Sequence, residues 1–304
     1  MKGVISIFAM PQEIDDLHIT LYNLKRNMAL VPDDVQVDIH LTFCLSSELT
    51  HWNTGSWGAL SKEYIRSKFD ALLPLMDWSK NPTIHIEEGD EILGCVSQRR
   101  KTTELYGDYD FTIWLDTDIF FNDTTLSYMI AGYKAAVDSG ESLCIVTPQF
   151  VKQWDHTWDA LVHPRYIGKP VMFHESFDVF NTLLDHGDVS LVPINTYKFA
   201  GGWFTLLSNK LLNMITIPES LGHYGLEDTF ITHACDLLQK HNHKYTPTQF
   251  ILQNHLVGEN YVYRCNSHLT HPYVTPRDRK EEFRAIATKN FSPELNAFVR
   301  RMIL

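Results

Sequence analysis

The sequence predicts an α/β fold in which helices flank a doubly wound, mostly parallel sheet. Along its first half, short apolar runs alternate with longer segments whose apolar residues recur at helical spacing. Strands that alternate with helices pair in parallel, because each helix returns the chain to the edge at which the next strand begins. The composition, 44% hydrophobic and 21% charged over 304 residues, suits a globular protein with a sizeable core.

The predicted elements of the first half follow one another without a linker or an internal repeat. The apolar run 3–9 predicts a buried strand, and the helical spacing of apolar residues from Ile14 to Met28 predicts the helix after it. Alternation of apolar and polar residues over 35–45 predicts a second strand. The next elements are a helix at 60–76, a strand at 83–88, a helix at 92–105, a strand at 111–116, a helix at 124–140 and a strand at 142–148.

The second half is less regular. Residues 150–195 lack clear periodicity, so loops and short helices are predicted there. The segment 197–207 predicts a strand interrupted by Gly201 and Gly202, and glycines inside a strand often mark the close approach of a ligand or another backbone. The remaining elements are a helix at 225–240, a strand at 248–257 and a helical tail.

Two acidic residues, Asp116 and Asp118, follow the apolar run FTIWL. Burying charge costs free energy unless the charge is paired or bound to a cation. Residues two apart on a strand point to the same side, and doubly wound sheets bind ligands beyond the carboxyl ends of their strands. Two carboxylates at that edge therefore predict a site for a hard divalent cation, Mg²⁺ or Mn²⁺. The alternative for a lone D-x-D is an ordinary turn.

Three segments together resemble the signatures of nucleotide-sugar-dependent glycosyltransferases with the GT-A fold. They are QRRKTTELYGDYDFTIWLDTDIFF, FAGGWFTLLSNKLL and GHYGLEDTFIT, in the order and spacing of that group. The resemblance implies a single GT-A-like, Rossmann-like domain over 1–260, with a mixed, mostly parallel central sheet flanked by helices. Residues 1–120 would form its nucleotide-sugar-binding half and 121–260 its acceptor half. Residues 261–304 would be a C-terminal helical extension.

The resemblance also implies how the donor is held. Asp118, and Asp116 directly or through water and the ribose, would bind Mn²⁺ or Mg²⁺ bridging the donor diphosphate, with a UDP-sugar as the expected donor. Arg99, Arg100 and Lys101 lie on the basic helix before this motif, where one of them would pair with phosphate, with Arg99 and Arg100 as the candidates. For each of them a solvated basic face is an equal alternative.

The glycine-containing strand would lie against the sugar. Gly201 and Gly202 would let a sugar approach the backbone closely. Trp203 would stack on an apolar face of the sugar, and a buried core tryptophan is the alternative. All three are therefore candidate donor-binding residues.

Two acids at the start of a predicted helix are the candidates for contact with the acceptor. Asp228 would remove the proton of the acceptor hydroxyl as general base in an inverting reaction, and Glu227 would hold acceptor hydroxyls. The alternative is an acid pair stabilised by the helix dipole alone. A late histidine often provides a third metal ligand in this fold; His255 is the first candidate, and His268 and His271 compete with it.

Charge and cysteine content limit the setting and the partners. The net charge of -11 argues against a protein whose affinity comes mainly from neutralising nucleic-acid phosphates, although the C-terminal end is locally basic. Five widely spaced cysteines predict reduced thiols, and no segment resembles a signal peptide or a membrane span. A cytoplasmic location is therefore expected.

The acceptor itself stays open at this stage. A saccharide on a lipid or glycan is the default. The alternatives are a protein and a hydroxylated base in nucleic acid, which is modified by some viral glycosyltransferases and would have to be flipped out of the duplex. A non-catalytic protein of the same fold that binds a nucleotide sugar is a further alternative. A phosphatase of the haloacid-dehalogenase type fits less well, because its motif requires a small residue at the position of Phe120. A sugar-phosphate nucleotidyltransferase would carry a Gly-rich, Arg-containing loop where this chain has AMPQEIDD.

Overall fold

A nine-stranded mixed sheet forms the centre of the part of the chain that the structure describes. This computed structural model describes residues 1–9, 14–44, 62–78, 80, 82–89, 94–117, 119–150, 152–155, 160–162, 188–194, 198–199, 202–242, 244–259 and 277–303. Its strands are β1 (Lys2–Ala9), β2 (Gln36–Cys44), β3 (Ile84–Gly89), β4 (Phe111–Leu115), β5 (Ile119–Phe120), β6 (Cys144–Phe150), β7 (Lys152–Asp155), β8 (Ala160–Val162), β9 (Ser190–Ile194), β10 (Lys198–Phe199), β11 (Phe204–Ser208) and β12 (Thr248–Glu259). Its helices are α1 (Ile14–Met28), α2 (Lys62–Leu72), α3 (Cys95–Leu105), α4 (Thr125–Asp138), α5 (Asn209–Met214), α6 (Glu227–His241) and α7 (Arg277–Met302), with short 3₁₀ turns at Leu73–Met76 and Glu219–Leu221.

Most strands of the sheet run in one direction. The strand order is β3-β2-β1-β4-β11-β6-β12-β5, and β9 pairs with β12. β1 is parallel to β2 and β4, β2 to β3, and β6 to β12, whereas β11 is antiparallel to both β4 and β6. Strands β1, β2, β3, β4, β6 and β12 therefore run one way, and β5, β9 and β11 run the other way. The mixed, mostly parallel sheet expected from the resemblance is confirmed.

Apolar clusters cover both faces of the sheet. Ile113 and Leu115 of β4 belong to a cluster with α1, α2 and α4, whereas Trp114 between them belongs to a cluster with α5, α6 and α7. Successive side chains of a strand point to opposite faces, so a strand covered on both sides is apolar at every position. This explains why FTIWL shows no alternation and why the carboxylate after it stands at the border of the core.

The irregular segment 150–195 contains strands where loops and short helices were predicted. β7 and β8 pair antiparallel, and β10 joins them to form a small three-stranded sheet, while β9 extends the central sheet beside β12. These strands are so short that they provide too few residues for a periodic signal. The segment 197–207 also differs from the single strand predicted, since β10 and β11 belong to different sheets.

The helical tail is present as α7. It packs against α6 and the turn at Glu219–Leu221, with Phe291 and Phe298 against the ring of Phe230. Within the described residues, no helix combines the length and the apolar character that crossing a bilayer requires.

Candidate functional site

The register of β4 and β11 brings two of the motifs together. Because β11 is antiparallel to β4 and Phe204 pairs with Leu115, the residues before β11 lie beside the residue after β4. The backbone N–H of Asp116 donates to the carbonyl of Trp203 at 2.8 Å. The first carboxylate of D-x-D and the end of the glycine segment therefore share the carboxyl edge of the parallel strands.

Arg99, on α3, connects three segments that are distant in the sequence. Its side chain is 7% exposed. Nη2 donates to Oδ1 of Asp116 at 2.7 Å and to the carbonyl of Gly202 at 2.8 Å, and Nη1 donates to Oε1 of Glu227. The guanidinium lies over the Trp114 ring, 4.7 Å from its centroid, as in a cation–π contact. All three predicted motifs are thus in contact with one buried cation.

Gly202 leaves room for this guanidinium. A Cβ added at Gly202 would lie 2.2 Å from Nη1 of Arg99 and 2.8 Å from its Cζ. A glycine at this position therefore allows the Arg99 side chain to pack against the backbone. The sequence had suggested only that Gly202 lets a sugar approach the backbone. Gly201, the other predicted sugar-facing glycine, lies outside the described residues.

Glu227 and Asp228 begin α6 but lie in different surroundings. The Glu227 side chain is 4% exposed and paired with Arg99. Asp228 is partly exposed; its Oδ2 accepts from the Gly202 N–H at 2.9 Å and its Oδ1 from the Thr229 N–H at 2.6 Å. The residue before them, Leu226, has a left-handed backbone (φ 68), which is uncommon for a residue with a side chain and turns the chain into the helix.

The charges of this cluster influence one another strongly. Burial raises the pKa of the Glu227 carboxyl and the charge of Asp228 adds to the rise, whereas the Arg99 guanidinium acts in the opposite direction. Burial alone lowers the pKa of Arg99, but Glu227 and Asp116 raise it well above the ordinary value. The Arg99 guanidinium therefore keeps its positive charge.

Asp116 is a partly exposed carboxylate of this group. Its side chain is 36% exposed. The carbonyl of the next residue, Thr117, accepts from the Thr20 hydroxyl of α1, which fixes the start of the turn. Asp118 lies outside the described residues, and among those described no group of three or more His, Cys, Asp or Glu side chains is arranged to hold a metal ion.

His255 lies deep in β12, near the strand that follows D-x-D. It is 2% exposed, and its Nε2 shares a hydrogen bond of 2.7 Å with the hydroxyl of Thr125. The end of β12 pairs antiparallel with β5, with Gly258 opposite Phe120, so the strand that carries this histidine runs beside the strand that follows D-x-D. The other two candidates, His268 and His271, lie outside the described residues.

Trp203 and Arg100 differ in their surroundings. Trp203 is partly buried and packs against the apolar cluster that contains Ile113. Arg100 is partly buried, and its Nη1 has no hydrogen-bond partner among the described residues. Their assignment to the donor stays a prediction.

The loop before α6 is held from two sides. The N–H of Val96, at the start of α3, donates to the carbonyl of His223 at 3.1 Å, and the Ser97 hydroxyl lies 3.2 Å from His223 Nδ1. On the other side, the ring of Phe283 from α7 packs edge-on against the His223 ring, with the centroids 5.4 Å apart. The C-terminal helix therefore supports the loop that leads to Glu227.

We expect Gly94→Ala to disrupt this support. The added Cβ would lie 1.8 Å from the backbone oxygen of His223, which cannot move like the end of a flexible side chain. Forcing the two segments apart should reduce the free energy of unfolding by roughly 1–3 kcal/mol, the usual cost of overpacking. Urea unfolding of wild type and variant measures the loss, and equal stabilities would show that the two segments do not pack together in solution.

Solved structures of other proteins match the fold of this chain, whereas its sequence has no match. No protein-family model and no curated protein matches the sequence of this chain. The crystal structure of GalNAc-T7 with UDP, GalNAc and Mn²⁺ matches with a TM-score of 0.51 at 12% identity, over 100% of this chain and 58% of that chain. S. aureus TarS 1-349 in complex with UDP matches with a TM-score of 0.47 at 14% identity, over 96% and 72% of the two chains. UDP-glucose pyrophosphorylase from Acinetobacter baumannii matches with a TM-score of 0.44 at 11% identity, over 95% and 99%.

The chain thus has a GT-A-like fold, as the match to GalNAc-T7 shows. It spans 58% of the length of that protein.

Proposed function

We propose that this chain is a metal-dependent glycosyltransferase that moves a sugar from a nucleotide sugar, expected to be UDP-linked, to an acceptor hydroxyl with inversion. One observation carries the proposal: three acids, Asp116, Glu227 and Asp228, lie together at the carboxyl edge of the sheet. Hydrogen bonds made by Arg99 and Gly202 connect them. Ligands of such sheets bind at this edge. The fold supports the assignment, since GalNAc-T7 was crystallised with UDP, GalNAc and Mn²⁺.

Asp116 and Asp118 are the proposed ligands of Mn²⁺ or Mg²⁺. Carboxylate oxygens are the donors that these hard cations prefer. Asp116 fits this role because its side chain is 36% exposed at the strand end, whereas Glu227 at 4% is closed off. When bound, the cation would neutralise the charge that develops on the departing nucleoside diphosphate.

Arg100 is the basic residue that we assign to the donor phosphates. Its Nη1 is buried, and within the described part of the chain no acceptor satisfies it. A buried guanidinium N–H without a partner favours a charged acceptor, and phosphate oxygens provide one. Gly201 and Trp203 remain the proposed contacts of the sugar.

Asp228 is the proposed general base. The N–H groups of Gly202 and Thr229 hold its two oxygens, which fixes the orientation of the carboxylate. Oδ2 accepts one hydrogen bond, from the Gly202 N–H, and can accept a second, so the acceptor hydroxyl can still approach it. As the acceptor oxygen bonds to the anomeric carbon, its proton passes to Asp228 and the nucleoside diphosphate leaves from the opposite face.

A panel of nucleotide sugars tests the proposed function. Wild-type protein is incubated with each donor and Mn²⁺, and the release of nucleoside diphosphate is measured with water or simple saccharides as acceptor. We expect metal-dependent release from one donor, with UDP-sugars first. No release from any donor, together with tight binding of one of them, would identify a non-catalytic nucleotide-sugar-binding protein instead.

We propose a saccharide hydroxyl as the acceptor.

We also propose a cytoplasmic location for the protein. The three cysteines whose side chains the structure describes, Cys95, Cys144 and Cys235, are all free thiols. Free thiols are typical of a reducing compartment.

His255 is proposed as the third metal ligand, and His255→Ala tests it. Ligation through Nε2 would require the imidazole to give up its hydrogen bond to Thr125. If His255 binds the cation, the variant should need at least about tenfold more Mn²⁺ for half-maximal activity, while the acceptor concentration needed stays the same. Unchanged Mn²⁺ dependence would make His255 a core residue.

A further inference from the structure

Arg99 uses its hydrogen-bonding groups on the protein itself. One guanidinium nitrogen donates to Asp116 and to the Gly202 carbonyl, and the other donates to Glu227. These acceptors lie 17, 103 and 128 residues away in the sequence, so the contacts tie together parts of the chain that local structure does not connect. The side chain is only 7% exposed, which leaves a diphosphate little access to it.

The charge of Arg99 is likewise used within the protein. Glu227 is 4% exposed and has its ion pair with this guanidinium, and Asp116 shares the same cation. A buried carboxylate that loses its cation is strongly destabilising, because neither water nor another charge compensates for it. The arginine therefore allows an acid to be buried directly beside Asp228, the proposed base.

The position of these contacts connects the two sides of the proposed site. Asp116 belongs to the metal and donor side, and Asp228 to the acceptor side. Arg99 donates a hydrogen bond to Asp116 directly. Its connection to Asp228 is indirect. Arg99 donates to the carbonyl of Gly202, whose N–H donates to Asp228, and it pairs with Glu227, the residue before Asp228 on α6. A shift of the guanidinium would move both sides together.

We propose that Arg99 is a positioning residue that holds the metal-side carboxylate of Asp116 and the acceptor-side start of α6 in one fixed arrangement, and that it does not bind the donor phosphates. This inference rests on the proposed function. It replaces the roles that the sequence analysis gave to Arg99 and Glu227. Arg99 no longer pairs with phosphate, and Glu227 is the buried partner of Arg99 rather than a ligand of acceptor hydroxyls.

Arg99→Lys separates positioning from charge. Lysine keeps the positive charge near the cation site, but its single ammonium cannot reproduce the planar fork that reaches Asp116, Gly202 and Glu227 together. Residues that orient a metal ligand typically contribute 10- to 100-fold to metal affinity. We expect Mn²⁺ affinity, measured without nucleotide by the electron paramagnetic resonance of free Mn²⁺, to fall at least about tenfold. Arg66→Met, which removes an exposed cation on α2, is the control and should bind Mn²⁺ like wild type.

The relative affinities for UDP and uridine test the alternative role of Arg99, in which it binds the donor phosphates. In metal-free buffer, the preference of the Arg99→Lys variant for UDP over uridine should stay within about threefold of that of wild type, because the arginine does not touch the diphosphate. Wild-type Mn²⁺ affinity combined with a lost preference for UDP would identify Arg99 as a phosphate ligand and overturn the proposal.

The link between Arg99 and Glu227 can be tested without any ligand. Arg99→Met should lower the Tm by about 10 °C, because it leaves Glu227 buried without a cation. Adding Glu227→Gln to that variant removes the stranded charge, so the double variant should be more stable than Arg99→Met alone. A double variant that is no more stable would contradict the proposal. Wild-type protein that bound neither Mn²⁺ nor UDP would instead contradict the proposed function, and this stability comparison would still decide the inference.

Discussion

Asp118→Asn and Asp116→Asn should each reduce sugar transfer by on the order of 10²–10³, because each removes a carboxylate that the proposed cation requires. Asp116→Asn should do so without unfolding the protein. Its side chain is partly exposed, and the amide oxygen of asparagine can still accept the hydrogen bond from Arg99. The loss should therefore appear in donor binding and turnover, and the Tm should change little.

The control for this pair is Asp123→Asn. Asp123 is an exposed acid of the same region whose charge is paired with Arg26, so its removal should leave metal binding and transfer unchanged. Turnover is measured against Mn²⁺ concentration for all three variants. Full activity of wild type in EDTA, or of either site variant, would contradict the proposed use of the metal.

Asp228→Asn should slow transfer by on the order of 10²–10⁴, the usual contribution of a positioned general base, while UDP and Mn²⁺ bind normally. In the proposed mechanism the cation and the donor are held by Asp116 and Asp118, and Asp228 is needed only when an acceptor hydroxyl loses its proton. The structure adds one requirement for this experiment. Both Asp228 oxygens accept from backbone N–H groups, so the amide NH₂ of asparagine would face a donor, and the variant's stability has to be measured alongside its rate.

Thr229→Val is a suitable companion to this variant. It removes the hydroxyl that lies 3.2 Å from Asp228 Oδ1 but keeps the backbone N–H that orients the carboxylate, so transfer should be nearly unchanged. The anomeric configuration of the wild-type product gives a second result. Inversion agrees with a base at Asp228, whereas retention would make Asp228 an acceptor-orienting group, since the leaving phosphate can then take the proton.

The order of the main elements in the first half of the chain and the sheet edge that carries the candidate site were predictable from the sequence, because both depend on local patterns. The apolar run before Asp116 indicates a strand covered on two faces, and the rule that ligands bind beyond carboxyl ends makes the carboxylate at that end a candidate ligand-binding residue. The acids at Glu227 and Asp228 were likewise predictable as a helix start. Each of these features is contained within a few neighbouring residues.

The role of Arg99 was not predictable, because it depends on contacts across 17 to 128 residues. In the sequence Arg99 is one of three consecutive basic residues, and composition alone does not separate a solvated cation from a buried one. Its helical spacing from Val96 and Thr102, both buried, was the available signal that it faces the protein interior. The fit of the guanidinium against Gly202 depends on a strand register that no sequence pattern of this length fixes.

We propose that the carboxyl edge of this sheet binds a nucleoside diphosphate together with a divalent cation. Calorimetric titration of wild-type protein with UDP, in the presence of Mn²⁺ and again in EDTA, is the test. We expect binding with Mn²⁺ and an affinity at least about tenfold lower in EDTA, and Asp116→Asn should strongly weaken the binding measured with Mn²⁺. UDP affinity that is the same in EDTA, or no binding of UDP, GDP, ADP or CDP under either condition, would contradict it.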